Sequence, residues 1–244
     1  MSTDNDRSEQ SPLDYWQIRK EISDLHPSET VFLPRILFPG AKVLDVGCAS
    51  GGFFNIMKTV EPLIEYIGVD IAEPPIRLAR QNYPGVNFQV IDGIEMPFED
   101  NTFDIVHCTK VLVIEPRYRE MMKEMYRVSK RFVLIDIRLL KDIGRENDSQ
   151  TSFYTIEFTD ERGDITLPYM VHDADEVADF ILQLNPKPEA LRGTGYFHNV
   201  ADEAETPYRE VCMTMLLVQK GSPDTSATVV DLGELPIEFA VSRA

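Results

Sequence analysis

Lys42-Val43-Leu44-Asp45-Val46-Gly47-Cys48-Ala49-Ser50-Gly51-Gly52 is the stretch whose reading decides the fold. An apolar, strand-forming run ends in an acid and then breaks into small residues that open a helix. Residues with little or no side chain let the backbone turn sharply and let a ligand lie against main-chain N–H groups. Asp45 stands beside that turn, where a carboxylate can accept hydrogen bonds from a cationic ligand group.

Working outward, a second apolar run, Tyr66-Ile67-Gly68-Val69-Asp70, ends in another carboxylate. Its distance from the first turn is that at which an acid reaches ribose hydroxyls in a doubly wound sheet. A third run, Val86 to Ile91, ends in Asp92-Gly93, and a fourth, Phe103 to Cys108, follows the turn-forming Glu99-Asp100-Asn101. Four successive strands thus end in polar or small residues on one edge of a parallel sheet, the edge at which such sheets bind ligands.

These residues resemble the class I S-adenosylmethionine-dependent methyltransferases, in particular the small-molecule branch whose first motif reads VLDVGCGTG. The likeness covers roughly residues 30 to 138 and thins beyond. It implies a Rossmann-like α/β fold with a doubly wound sheet of seven strands, mostly parallel with an antiparallel last strand. It further implies S-adenosylmethionine as cofactor. Position by position, Asp45, Gly47, Cys48, Ala49 and Gly51 correspond to the loop around the methionine portion. Asp70, with Ile71 beside it, corresponds to the acid on the ribose; Asp92 and Gly93, with Ile94, to the pair reading the adenine edge. Within His107-Cys108-Thr109-Lys110, Cys108 and Thr109 fall in the motif beside the transferable methyl. The chain departs from the family in three places. Ala49 replaces a glycine, Val113-Ile114 stands where many relatives carry Glu-His, and Ser129-Lys130-Arg131 replaces Pro-Gly-Gly. A nicotinamide or flavin enzyme is the rival, since Gly47-x-Ala49-x-x-Gly52 fits a relaxed dinucleotide fingerprint. The acid two residues before Gly47, the Asp92-Gly93 pair and the absence of a sizeable second domain favour the sulfonium ligand.

With 244 residues, 43% of them hydrophobic, the chain has enough material for one good core. Residues 1–12 are polar and expected to be disordered. A methyltransferase domain is expected over 13–220 and a tail over 221–244, whose apolar pairs have no assigned partner. No apolar run approaches a membrane span and no signal-peptide pattern opens the chain, so a cytoplasmic protein is expected. The net charge of −17 argues against nucleic acid as substrate. The one basic run, Arg117 to Arg131, is interleaved with Glu120 and Glu124 and reads as a solvated helix face. Cys48, Cys108 and Cys212 lack metal-ligand spacing and read as packing residues; no metal is expected.

Helices are expected from Asp14 to Leu25, from Ser28 toward Leu37, from Pro75 to Tyr83, from Pro116 to about Val128 and from about Asp173 to Leu184, with a fifth strand over Phe132 to Ile137. A β-hairpin inserted at about 152–171 precedes two late strands, Leu191 to His198 and Val211 to Lys220. Tyr154, Tyr169 and His172 are candidates for lining an acceptor pocket. No catalytic residue is assigned: His172 and His198 are weak candidates for a base, His26 reads as structural or exposed, alternation from Cys108 turns His107 away from the cofactor, and Lys110 is a weaker candidate for binding an acidic acceptor. The expected reaction is methyl transfer to an oxygen or nitrogen of a small-molecule or sugar-like acceptor. The alternative is a non-catalytic protein of the same fold acting through a partner. The oligomeric state is not legible.

Overall fold

A computed structural model describes residues 19–143, 154–160, 163–202, 204–237 and 239. Residues 1–12 and the first five residues of the first expected helix, 14–18, lie outside them. Among its described residues, 19–25, the helical part is a single 3-10 turn, Ile22–Asp24, preceded by an extended Glu21. Lys20 and Glu21 give their backbone N–H groups to the Asp24 carboxylate, which caps the start of the turn.

The main sheet follows from the apolar runs. Strands β1 (Lys42–Val46), β2 (Glu65–Asp70), β3 (Asn87–Val90), β4 (Phe103–Cys108) and β5 (Ser129–Leu140) are parallel, in the order β3-β2-β1-β4-β5. Helices α1 (Pro27–Ile36), α2 (Gly52–Val60) and α3 (Glu73–Asn82) carry apolar faces that, with Val43, Tyr66, Ile105 and Leu134, close one side of the sheet. On the other side α4 (Tyr118–Val128) and α5 (Ala174–Leu182) bury Met121, Met122, Met125, Val177 and Ile181 against Leu44, Val106, Val133 and Ile135. Alternation along each strand sends successive side chains to opposite sides, so one strand feeds both cores.

β6 (Tyr154–Asp160) and β7 (Gly163–Tyr169) form the expected hairpin, paired from Tyr154 opposite Tyr169 down to Asp160 opposite Gly163. The two-residue strand β10 (Ala204–Glu205) adds to it as a small second sheet. β9 (Ala190–Asn199) and β11 (Glu210–Gln219) complete the main sheet, with β11 antiparallel to both β5 and β9. The seven expected strands are therefore present in a nine-stranded sheet. The two additions are β8 (His172–Asp173), which continues the lane of β4 beside Leu139 and Leu140, and β12 (Val229–Glu234), which runs parallel to β9. The tail thus joins the sheet. Its Leu232 and Leu235 lie over Gly193, where an added Cβ would stand 2.7 Å from both side chains.

The departure at Ser129-Lys130-Arg131 is resolved by a distant cation. α4 runs straight into β5, and the Lys220 ammonium donates to the carbonyls of Tyr126, Arg127 and Ser129 at 2.7, 3.2 and 2.8 Å. A lysine on the last carbonyls of a helix both satisfies them and complements the helix dipole.

Candidate functional site

The loop between β1 and α2 is wound left-handed three times, at Gly47 (φ 75°), Ala49 (φ 46°) and Gly51 (φ 84°). A Cβ on Gly47 would lie 2.1 Å from Val111, and one on Gly51 would lie 2.7 Å from Phe88. The small residues are therefore demanded by packing as well as by φ. Gly47 and Cys48 donate to the Val69 carbonyl, fastening the loop to the end of β2. Asp70 then binds the loop from the other side: its carboxylate accepts from Ala49 N–H at 3.0 Å and from Ala72 N–H at 2.9 Å. Burial pushes the Asp70 carboxyl up from its ordinary value despite these donors. Beside it Ile71 is 65% exposed, an apolar side chain facing water next to a carboxylate.

Asp92 accepts the Ile94 N–H at 3.0 Å in a tight turn after β3, and a Cβ on Gly93 would meet Met121 at 2.8 Å and Val46 at 3.1 Å. Asp70, Asp92 and the glycine loop thus stand on one sheet edge. This arrangement fits an adenosyl ligand: a carboxylate for vicinal hydroxyls, exposed Ile71 for the flat face of a base, and small residues where a chain must pass close.

Asp45 is placed otherwise than the sequence suggested. It is 2% exposed, and its two oxygens are taken by the Tyr66 hydroxyl at 2.5 Å and His107 Nδ1 at 2.7 Å. His107 is stacked on Phe53 of α2, with ring centroids 4.4 Å apart. In place of the expected ligand contact, Asp45 ties β1 to β2, β4 and α2 beneath the loop. Cys48 and Cys108 are buried in opposite cores, where burial first and the nearby carboxylates second raise both thiols well above their ordinary range. Both are inert thiols at neutral pH. Thr109 is buried beyond Cys108, and Lys110 follows in the left-handed region, φ 63°.

That turn at Lys110 exposes a group the sequence reading passed over. Asp136, the one acid in the run Phe132 to Ile137, accepts the Lys110 N–H at 2.6 Å, and the Lys110 ammonium stands 3.9 Å from its second oxygen. Burial raises the Asp136 carboxyl and lowers the Lys110 ammonium. The pair lines a cavity of about 10 Å³ whose remaining walls are His26, Ser28 and Glu29 from the N-terminal side and Tyr196, Met213, Thr214 and Met215 from the late strands. A lone acid inside an apolar strand was the available signal.

The histidines divide between the two sides of the sheet. His172 packs on Tyr118 of α4 at 4.2 Å, away from the Lys110–Asp136 cavity, and burial brings its pKa down to about 4. Its Nε2 is enclosed without a partner among the described residues. His198 is on β9 two residues beyond Tyr196, partly buried on the cavity side, with its pKa lowered by burial and then by Arg138 and Lys110. Tyr169 is buried under the Arg138 guanidinium, 3.7 Å from the ring centre, while the side chain of Tyr154 lies outside the described residues. Val113, at the departure from Glu-His, offers its carbonyl to Arg138 and to Met170 N–H, docking the hairpin's end onto the loop after β4. Among the described residues no group of three or more His, Cys, Asp or Glu side chains is placed to hold a metal, and no helix is long and apolar enough to cross a membrane.

A family profile described as a methyltransferase domain matches residues 37–185, more than half of the chain. The chain belongs to this family, the class I S-adenosylmethionine-dependent methyltransferases. Among curated proteins it is 34% identical over 113 residues to phthiotriol/phenolphthiotriol dimycocerosates methyltransferase 1 of Mycobacterium ulcerans, covering 45% of this chain and 40% of that protein. It is 36% identical over 95 residues to demethylmenaquinone methyltransferase of Staphylococcus aureus, 37% of this chain and 39% of that one. It is 31% identical over 117 residues to 24-methylenesterol C-methyltransferase 2 of Arabidopsis thaliana, 46% of this chain and 32% of that one. The matches thus span about two-fifths or less of those relatives' own length. A solved structure from Pyrococcus horikoshii shares the fold at TM-score 0.53 and 22% identity, covering 80% of this chain and 88% of that one. A methyltransferase from Methanosarcina mazei does so at TM-score 0.50 and 19% identity, covering 80% and 98%.

Proposed function

We propose that this methyltransferase-family protein transfers a methyl group from S-adenosylmethionine to an oxygen or nitrogen of a small-molecule or sugar-like acceptor. The adenosyl portion would lie along Asp70, Ile71 and the Asp92-Gly93 turn, the methionine portion over Gly47 to Gly51, and the acceptor above Lys110 and Asp136. The observation that carries this reading is the Asp136–Lys110 pair, a buried carboxylate held by the Lys110 N–H with the partly exposed Lys110 ammonium 3.9 Å away, immediately beyond Cys108 and Thr109.

When bound, the cofactor supplies a methyl that is already electrophilic, so the chain's task is to align an acceptor lone pair, exclude water and take up a proton. The raised pKa of Asp136 makes its carboxylate a better proton acceptor than an exposed one. It takes the proton from an acceptor hydroxyl or amine as the new bond to carbon forms. The Lys110 N–H on one oxygen fixes its direction. His172, on the far side of the sheet, is not proposed as the base, and His198, two residues along β9 from the cavity-lining Tyr196, is given no role.

A carbon acceptor is the competing reading, favoured by the name of the Arabidopsis relative; the charged lining favours a heteroatom. The net charge of −17, and the pairing of Arg117 with Glu115, Arg119 with Glu176 and Arg127 with Glu124 on the basic run, support a small acceptor over nucleic acid. Three free, buried cysteines accord with a reducing, cytoplasmic setting. We take residues 13–220 as the methyltransferase domain, with β12 of 221–244 annexed to its sheet. Incubation with methyl-tritiated S-adenosylmethionine and a panel of phenols, sugars, amines, quinols and sterols tests the reading. Labelled ethers or methylamines, formed about 10²–10⁴-fold more slowly by Asp136→Asn, are expected. Label on carbon alone, or an Asp136→Asn enzyme of undiminished rate, would overturn it.

A further inference from the structure

The Lys110–Asp136 cavity holds about 10 Å³, the room of one water molecule. No acceptor enters a space of that size unless a wall moves. β5, β9 and β11 cannot be that wall, because each is hydrogen-bonded along its length within the main sheet. The N-terminal segment is held differently. Its Arg19 forms a close ion pair with the buried Glu29, and Glu29 also accepts the His26 N–H at 2.6 Å. The Arg19 guanidinium stands over the Phe53 ring, 5.9 Å from its centre, and Lys20 gives its carbonyl to Asn55 Nδ2 at 2.7 Å. Arg19, Glu29, Lys110 and Asp136 are near enough for the charges of the first two to perturb the titration of both the others.

The tightest of these contacts is with the cofactor loop's own helix. A Cβ on Gly52 would lie 1.7 Å from the Arg19 carbonyl oxygen. Gly52 has no positive φ, so its lack of a side chain is required here by the strap's backbone and not by a turn. Among the described residues, the bonds of Arg19 and Lys20, the Gly52 contact, the packing of Leu25 on the core and the His26 ring beside Tyr196 hold the segment that walls the cavity, with no strand pairing of its own.

We propose that residues 19–26 are a hinged strap that gates the acceptor cavity, latched to α2 by the Gly52–Arg19 contact and to Glu29 of α1 by the Arg19–Glu29 pair. The strap crosses the N-terminal turn of α2, at the cofactor loop, and brings His26 to the cavity wall beside Glu29 of α1, so one movement uncovers both. That Asp136 faces an acceptor rests on the function proposed above; the existence of the latch does not.

Two readouts on the full chain test this. Carboxyl labelling with carbodiimide and glycine ethyl ester, followed by peptide mapping, reads the access of Asp136, and brief native trypsinolysis reads cleavage after Arg19 and Lys20. Gly52→Ala is expected to raise both rates about tenfold while circular dichroism stays that of the wild type. Glu29→Gln, which breaks the latch without crowding α2, should raise both in the same direction. Unchanged rates in both variants, or cleavage that speeds up while Asp136 stays protected, would overturn the gate. Calorimetry with S-adenosylhomocysteine on the wild type judges the cofactor reading separately, since the labelling result does not depend on it.

Discussion

Replacing Tyr66 by Phe removes one oxygen from the interior and tests what Asp45 is for. The Tyr66 ring packs on Phe54 and Phe88 at centroid distances of 5.2 and 5.9 Å, contacts that Phe keeps. What is lost is the donor to a carboxylate that is 2% exposed. A hydrogen bond to a charged group contributes about 1.5–3 kcal/mol, and a buried acceptor left short of a partner costs a similar amount. For a chain of this size about 1 kcal/mol moves the melting temperature by about 2–4 °C, so Tyr66→Phe should melt about 3–12 °C lower. Affinity for S-adenosylhomocysteine should stay within about fivefold, less than the tenfold that 1.4 kcal/mol represents, because both Asp45 oxygens face inward. Scanning calorimetry and a titration on the same preparation measure the two effects together. An unchanged melting temperature with tenfold weaker binding would refute the reasoning and return Asp45 to the ligand.

The converse holds at the end of β2, where Asp70→Ala should weaken S-adenosylmethionine binding by about 1–3 kcal/mol through loss of hydrogen bonds to the ribose; unchanged affinity in a folded variant would remove Asp70 from the site. His172 gives a pH signature: its pKa is lowered to about 4 when folded against 6.5 for the free group, so the unfolded chain binds its proton first and stability falls as pH drops from about 6.5 to 4. Urea titrations across that range should show a shallower acid loss for His172→Phe, and an identical slope would show that His172 is not buried neutral. On β12, Leu232→Ala removes a side chain that packs over Gly193 and should cost about 2–4 kcal/mol in urea denaturation. A cost below about 0.5 kcal/mol would mean the annexed strand contributes nothing to the sheet.

The parallel half of the sheet was legible because its information is local. Runs such as Val43 to Val46 and Ile105 to Cys108 are too apolar to face water on either side, and the small or polar residues that follow, Gly47 in one and Thr109-Lys110 in the other, mark where each stops. The two added strands were not legible for the opposite reason. His172-Asp173 has no strand character of its own, and Val229 to Glu234 pairs with β9 only because Gly193 leaves room for Leu232 and Leu235.

The site divides in the same way. Asp70 and Asp92 sit at strand ends, where sequence position already implies the edge of the sheet. Asp45 looked alike in the sequence, yet its orientation was set by Tyr66 and His107, whose places are fixed by register with β2 and β4. The cavity is assembled from chain positions as distant as Glu29, Lys110, Asp136 and Tyr196, and no spacing rule connects them. His172 was separated from it by one step of strand alternation, which sends its ring to α4.

The central claim is that the edge formed by the Gly47–Gly51 loop, Asp70 and the Asp92-Gly93 turn is an S-adenosylmethionine site. Isothermal titration of the purified chain with S-adenosylmethionine, S-adenosylhomocysteine and NADH tests it most directly. The account predicts saturable one-site binding of the first two in the micromolar range and no heat from NADH; binding of NADH alone, or of none of the three to folded protein, would contradict it.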